Sequence, residues 1–106
     1  MQRHIDALIL ARIAALAADP HRAAMLSALT TGRALSLQEL ACCAGISASA
    51  ACDHLNRLIR AGLLTPRSDG RRRCYRLATP RVVSTLDELW FAAERRRRAT
   101  QTKEES

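Results

Sequence analysis

Aromatic side chains are nearly missing from this sequence: Tyr75, Trp90 and Phe91 are the only three. Burial must therefore come from Ala, Leu, Ile and Val, which suits packed helices better than a β-sandwich, so the fold class reads as mostly α. Proline and glycine number only 3 and 4, so each one marks a boundary. A long apolar run is also lacking. The stretch from Ala7 to Ala18 opens after Asp6 and carries Arg12 in its middle, which excludes a secretory h-region, and it is too short to span a bilayer. No Gly-rich phosphate loop and no Ser, His and acid combination in a pocket-forming context occurs, so no catalytic residue, no cofactor and no enzyme activity is expected. Four cysteines are present, but Cys42 and Cys43 are adjacent and the apolar helices need no bridges, so reduced thiols in a cytoplasmic protein are the expectation. At 106 residues and 48% apolar content the chain has enough core for one compact domain and too little for two.

Acid is scarcest where base is densest. From Arg57 to Arg81 there are eight arginines and a single acid, Asp69, so this stretch holds the whole formal charge of +7. A solvated face usually interleaves both signs, whereas a one-sign cluster attracts polyanions through counterion release.

Helical spacing of Ile5, Leu8, Ile9, Ile13 and Leu16 predicts a first helix that is apolar on more than one face, a surface that a second subunit would cover. Asp19-Pro20 is a helix start, and the next helix runs to about Thr31, with Met25, Leu26 and Leu29 inward and Gly32 as its stop. Ser36-Leu37-Gln38-Glu39 has the form of a capping box. A short helix with Leu37, Leu40, Ala41 and Ala44 inward follows, then a turn at Gly45-Ile46, and Ser47 caps another helix with Ala51, Leu55, Leu58 and Ile59 inward. From Leu64 the period changes to that of a strand. Leu64 to Ser68, an Asp69-Gly70 type I′ turn and Arg71 to Leu77 read as a hairpin, with Tyr75 and Leu77 on the inner face and Arg72, Cys74 and Arg76 on the other. Thr79-Pro80 starts a last helix with Val82, Val83, Leu86, Leu89 and Trp90 along one stripe, expected to end near Arg98. Residues 1–98 are thus expected to form the domain, and 99–106 a flexible polar tail.

The order helix, helix, helix-turn-helix, Asp-Gly hairpin, helix resembles the ArsR/SmtB family of winged helix-turn-helix regulators. The local wording agrees: Ala17-Ala18-Asp19-Pro20-His21-Arg22, Leu37-Gln38-Glu39-Leu40-Ala41, Gly45-Ile46-Ser47-Ala48-Ser49, His54-Leu55-Asn56-Arg57-Leu58, Ala61-Gly62-Leu63-Leu64 and Gly70-Arg71-Arg72-Arg73-Cys74-Tyr75-Arg76-Leu77. The resemblance implies five helices with a two-stranded wing and a homodimer formed through the first and last helices, here Ile5, Leu8, Ile9, Ile13, Val83, Leu86, Leu89 and Trp90. It further implies a DNA-binding repressor released from its operator by a signal. The family's metal positions are poorly filled. Ser36, Gln38 and Ala41 stand where an arsenic-type site has cysteines, and the last helix offers Asp87, Glu88 and Glu94 without histidine, so no metal is expected.

A helix-turn-helix presents the outward residues of its second helix to the major groove. Here these are Ala48, Ser49, Cys52, Asp53 and Asn56. None is a bidentate arginine, so affinity should rest on phosphate contacts from the helix start at Ser47, from His54 and Arg57, and from the wing arginines Arg67, Arg71, Arg72 and Arg73. The expected partner is double-stranded DNA with an inverted-repeat operator. The thiols of Cys42, Cys43, Cys52 and Cys74 are candidates for sensing a soft metal or an oxidant, although small residues tolerated in a reducing compartment explain them as well. His21 reads as part of a helix start. A winged-helix module that binds protein rather than DNA is the remaining alternative, and salt-insensitive binding to a protein partner would mark it.

Overall fold

A computed structural model describes the backbone of residues 2–105 and the side chains of residues 7, 8 and 10–100; Ile5 and Ile9, expected in a dimer interface, and His4 lie outside the described side chains. The elements are α1 (Gln2–Ala17), α2 (Pro20–Leu29), β1 (Leu35–Ser36), α3 (Leu37–Ala44), α4 (Ala48–Arg60), β2 (Leu64–Asp69), β3 (Arg72–Leu77) and α5 (Pro80–Glu105).

Helix boundaries follow from capping chemistry. Asp19 accepts hydrogen bonds from the amides of His21 and Arg22 and so satisfies two free donors at the start of α2, where Pro20 needs none. Ser36 and Glu39 form the reciprocal box expected at the start of α3. Thr79 Oγ1 accepts from the Val82 amide at the start of α5. At its far end α5 does not stop at Arg98 but continues to Glu105. Ala99, Gln101, Lys103 and Glu104 are good helix formers, and Thr100 Oγ1 donates to the Arg96 carbonyl, so nothing interrupts the helix.

The core gathers Met25, Leu26 and Leu29 of α2, Leu40 and Ala41 of α3, Ala51, Leu55 and Leu58 of α4, and Leu64, Tyr75 and Leu77 of the sheet. Each fully buried leucine contributes roughly 1.5–3 kcal/mol. Ile13 and Leu86, both expected between subunits, are 2% and 0% exposed within the single chain. They attach α1 and α5 to this core, because a helix lying on so small a body must give one stripe to it. Among the described residues, Leu8 (59% exposed), Leu10 (41%) and Phe91 (66%) remain outside, with Val83, Leu89 and Trp90 half-buried.

The sheet differs from expectation in two ways. It has three strands in the order β1-β3-β2, because Leu35 and Ser36 pair with Tyr75 and Cys74. A two-residue strand leaves no periodic signal, yet it makes β3 central, so Cys74 lies between Ser36 and Arg67 and is only 8% exposed rather than open on the wing. The second difference is the turn. Asp69 pairs with Arg72, so the two-residue loop is Gly70-Arg71 and not Asp69-Gly70. Only Gly70 has positive φ, at 64°, which fits type II′ and not type I′, since the latter needs positive φ at both loop residues. Pro66 sits on β2, an edge strand, where its missing N–H costs no ladder bond.

Candidate nucleic-acid interface

The α3–α4 corner is set by Gly45. At φ 68° it takes the left-handed conformation, and its amide and that of Ile46 close back onto the Cys42 and Ala41 carbonyls, 3.1 Å each. The chain then turns directly into Ser47, whose Oγ accepts from the Ala50 amide at 3.1 Å. Ala51, Leu55 and Leu58 of α4 point into the core, so rotation about the helix axis leaves Ser49, Asp53 and Arg57 exposed on the opposite side, while Ala48 is exposed in the first turn. Cys52 and Asn56 are half-buried at the edge of this face, and Asn56 Nδ2 donates to Cys52 Sγ at 3.8 Å. Of the expected base-reading residues, Ser49, Cys52, Asp53 and Asn56 therefore share one side of α4.

On the wing, Arg67, Arg71, Arg72 and Arg73 are all exposed. Among the described residues neither these four nor Arg57 forms an ion pair, so their charge is available to an external anion. They do not form one flat patch. Arg73 shares a face with Tyr75, whereas Arg72 takes the other face, where its charge helps to hold the Glu39 carboxyl below the usual range; the larger causes there are the Ser36 side-chain and then backbone hydrogen bonds. Tyr75 itself is fully buried, and burial raises its phenol above the ordinary value; its Oη has no hydrogen-bond partner among the described residues.

His54 does not stand out toward solvent as a phosphate ligand would. It is half-buried, its Nδ1 lies 3.2 Å from Arg22 Nη1, and its ring centroid is 6.0 Å from that of His21. Arg22 is the polar residue that sequence reasoning passed over. A signal was present: a cation in the first turn of α2 sits at the positive end of the helix dipole, an unfavourable place unless another partner holds it. Phe91 was passed over too, because it falls beside the apolar stripe of its helix and not on it. The thiols are dispersed in environment: Cys42 and Cys43 exposed on α3, Cys52 intermediate, Cys74 buried. Among the described residues no group of three or more His, Cys, Asp or Glu could hold a metal ion, and no helix is long and apolar enough to cross a membrane.

Comparison with known proteins places this geometry. A family model for a helix-turn-helix domain matches residues 17–67. The uncharacterised HTH-type transcriptional regulator YdfF of Bacillus subtilis (strain 168) is 37% identical over 84 residues, which make up 79% of this chain and 37% of that protein. The chain thus spans little more than a third of that relative's length. A solved structure of a possible transcriptional regulator for arsenical resistance is 39% identical, with 76% of this chain and 81% of that chain covered and a TM-score of 0.60. The homodimeric winged helix-turn-helix DNA-binding domain of a possible ArsR-family transcriptional regulator from Mycobacterium bovis is 25% identical, with 89% and 87% covered and a TM-score of 0.74. Caps, corner, wing and relatives agree: the chain belongs to the ArsR/SmtB family of winged helix-turn-helix transcriptional regulators.

Proposed function

We propose that the protein is a homodimeric, cytoplasmic DNA-binding repressor that reads an inverted-repeat operator with α4 and holds it with the wing. The observation that carries this reading is the set of five exposed arginines without an ion pair among the described residues, Arg57 on the outward face of α4 and Arg67, Arg71, Arg72 and Arg73 on the wing. Ser49 can exchange hydrogen bonds with several bases, Asp53 can accept from a cytosine amino group, and Ala48 can meet a thymine methyl. These are modest discriminators, so phosphate contacts supply most of the affinity. Leu8, Leu10 and Phe91 are large apolar side chains left open on the terminal helices, and a second copy covering them would set two recognition helices about 34 Å apart. Selection of bound duplexes from a random pool tests the reading. Enrichment of a two-fold symmetric sequence, with binding that weakens steeply with salt, supports it; salt-insensitive capture of a protein partner without DNA enrichment overturns it.

The signal that releases the operator acts, in a second reading, on the exposed vicinal thiols of Cys42 and Cys43, which a soft metal or an oxidant can reach without unfolding α3. Cys74 is too buried to take part directly. Gel shifts with and without reductant and soft metals, on the native chain and on a Cys42→Ser, Cys43→Ser variant, decide it. Equal response of both proteins would remove these thiols from the mechanism.

A further inference from the structure

We infer that Arg22 is a positioning residue for DNA recognition: its guanidinium ties the end of α1 to the recognition helix through His54, and the tie holds only while His54 is uncharged. The inference rests on the DNA-binding reading above for its consequence, but not for its geometry.

Arg22 is fixed at both ends. Its amide donates to Asp19 Oδ1 at 3.1 Å, its Nε donates to the Leu16 carbonyl at 2.7 Å, and its Nη1 lies 3.2 Å from His54 Nδ1. One planar fork therefore spans α1, α2 and α4. A guanidinium has only donors, so in this contact His54 Nδ1 must be the acceptor, which requires a neutral ring with its proton on Nε2. A second proton on the ring turns the contact into two donors and two like charges facing each other.

The groups facing His54 are few. From the start of α2 come Asp19, His21 and Arg22, the His21 ring at 6.0 Å between centroids; α1 contributes the Leu16 carbonyl through Arg22; α4 itself carries Asp53 and Arg57 as neighbours. Asp19 is the one acid among the α2 groups, and its carboxylate is already engaged by two backbone amides. Protonation of His54 therefore exchanges the Arg22 bond for attraction toward Asp19, and α4 loses its link to α1.

The consequence is opposite in sign to that of a phosphate contact. A histidine that met phosphate would strengthen DNA binding as it gained charge. A histidine that holds the recognition helix in place weakens specific binding when charged and leaves non-specific binding, which depends on the arginines, little changed.

Nitrogen-detected NMR of the free protein tests the geometry first. Between about pH 8 and pH 5.5 the Arg22 guanidinium resonances should shift together with the His54 ring in the native chain, and should be insensitive to pH in His54→Asn, whose amide oxygen replaces Nδ1 as a non-titrating acceptor. Independent titration of the two residues refutes the tie, whatever the protein does with DNA. Anisotropy with a selected duplex and a random duplex then tests the consequence. Over the same range the native chain should lose about tenfold in specific affinity, the effect of one hydrogen bond to a charged group, while His54→Asn stays flat. Arg22→Lys, which cannot reach both partners, should show the weakened specific affinity at every pH. A His54-dependent rise in affinity on acidification would instead assign the histidine to phosphate and overturn the inference, with the DNA-binding reading left standing.

Discussion

Arg73 and Tyr75 lie on one face of β3 with the guanidinium carbon 5.7 Å from the ring centroid, so the wing arginine is held against a buried aromatic rather than left to sample solvent. Its neighbour Arg72 has no such support and sits on the opposite face, toward Glu39. Replacing either by alanine should reduce the slope of log affinity against log salt by about one and weaken selected and random duplexes together. Arg73→Lys should cost more than Arg72→Lys, because a lysine keeps the charge but loses the planar stacking. Salt titration of all four variants measures this, and equal slopes in variant and native chains would remove the wing from the interface.

The same Tyr75 predicts a stability result. Its hydroxyl is buried without a partner among the described residues, and an unsatisfied buried group costs on the order of 1–3 kcal/mol. Tyr75→Phe should leave thermal stability unchanged or raise it, by up to about 1 kcal/mol after lost packing is counted. A clear fall in Tm would show that the hydroxyl has a partner in solution.

Leu86 and Phe91 separate the two roles of α5. Leu86 is fully buried in the chain's own core, so Leu86→Ala should cost about 2–5 kcal/mol in denaturant unfolding. Phe91 is 66% exposed, as Leu8 is at 59%, so Leu8→Glu combined with Phe91→Glu should leave the fold intact and shift the protein to monomer in sedimentation. Retention of a dimer by that variant would place the subunit contact elsewhere.

Two helix starts depend on ionised carboxylates. The amide of Arg22, and after it that of His21, holds Asp19 below the ordinary carboxyl range; the Ser36 hydroxyl and then its amide do the same for Glu39. Both groups bind protons less readily in the folded chain than in the unfolded one. Their stabilisation is therefore complete above the ordinary carboxyl range and is lost as pH falls through the depressed folded values, below about pH 4. Asp19→Asn with Glu39→Gln keeps acceptors at both caps without titration, so the acid limb of its Tm profile should be shallower than that of the native chain. Parallel acid limbs would show that other groups govern acid unfolding.

Local chemistry is what a sequence carries, and here it carried the element order. Asp19-Pro20, the Ser36 and Glu39 box, Gly45 before Ser47, and the three-to-four-residue spacing of Ala51, Leu55 and Leu58 each act within a turn or two of helix, so propensity, capping and periodicity suffice to read them. The arginine cluster and the outward face of α4 followed, since a helix with a known inner stripe has a known outer one. The hairpin was legible as a hairpin, but its loop slipped by one residue. Asp69 and Gly70 are both good turn formers, and the choice of Gly70-Arg71 is made by ladder pairing with β1 and β2 on either side of β3.

Only the tertiary structure decided the features that depend on distant partners. Strand β1 exists because two residues find the edge of β3, and that pairing places Cys74 in the middle strand of the sheet. Ile13 and Leu86 belong to the core and Phe91 to the surface because α1 and α5 dock with one particular rotation, which periodicity on a helix apolar on several faces does not select. His54 meets Arg22 across 32 positions of chain because packing brings the start of α2 beside α4. The sequence by itself determined which helices form and where the charge lies, through interactions local along the chain; packing across the chain determined which side chains enter the core, which stay exposed, and which distant residues meet.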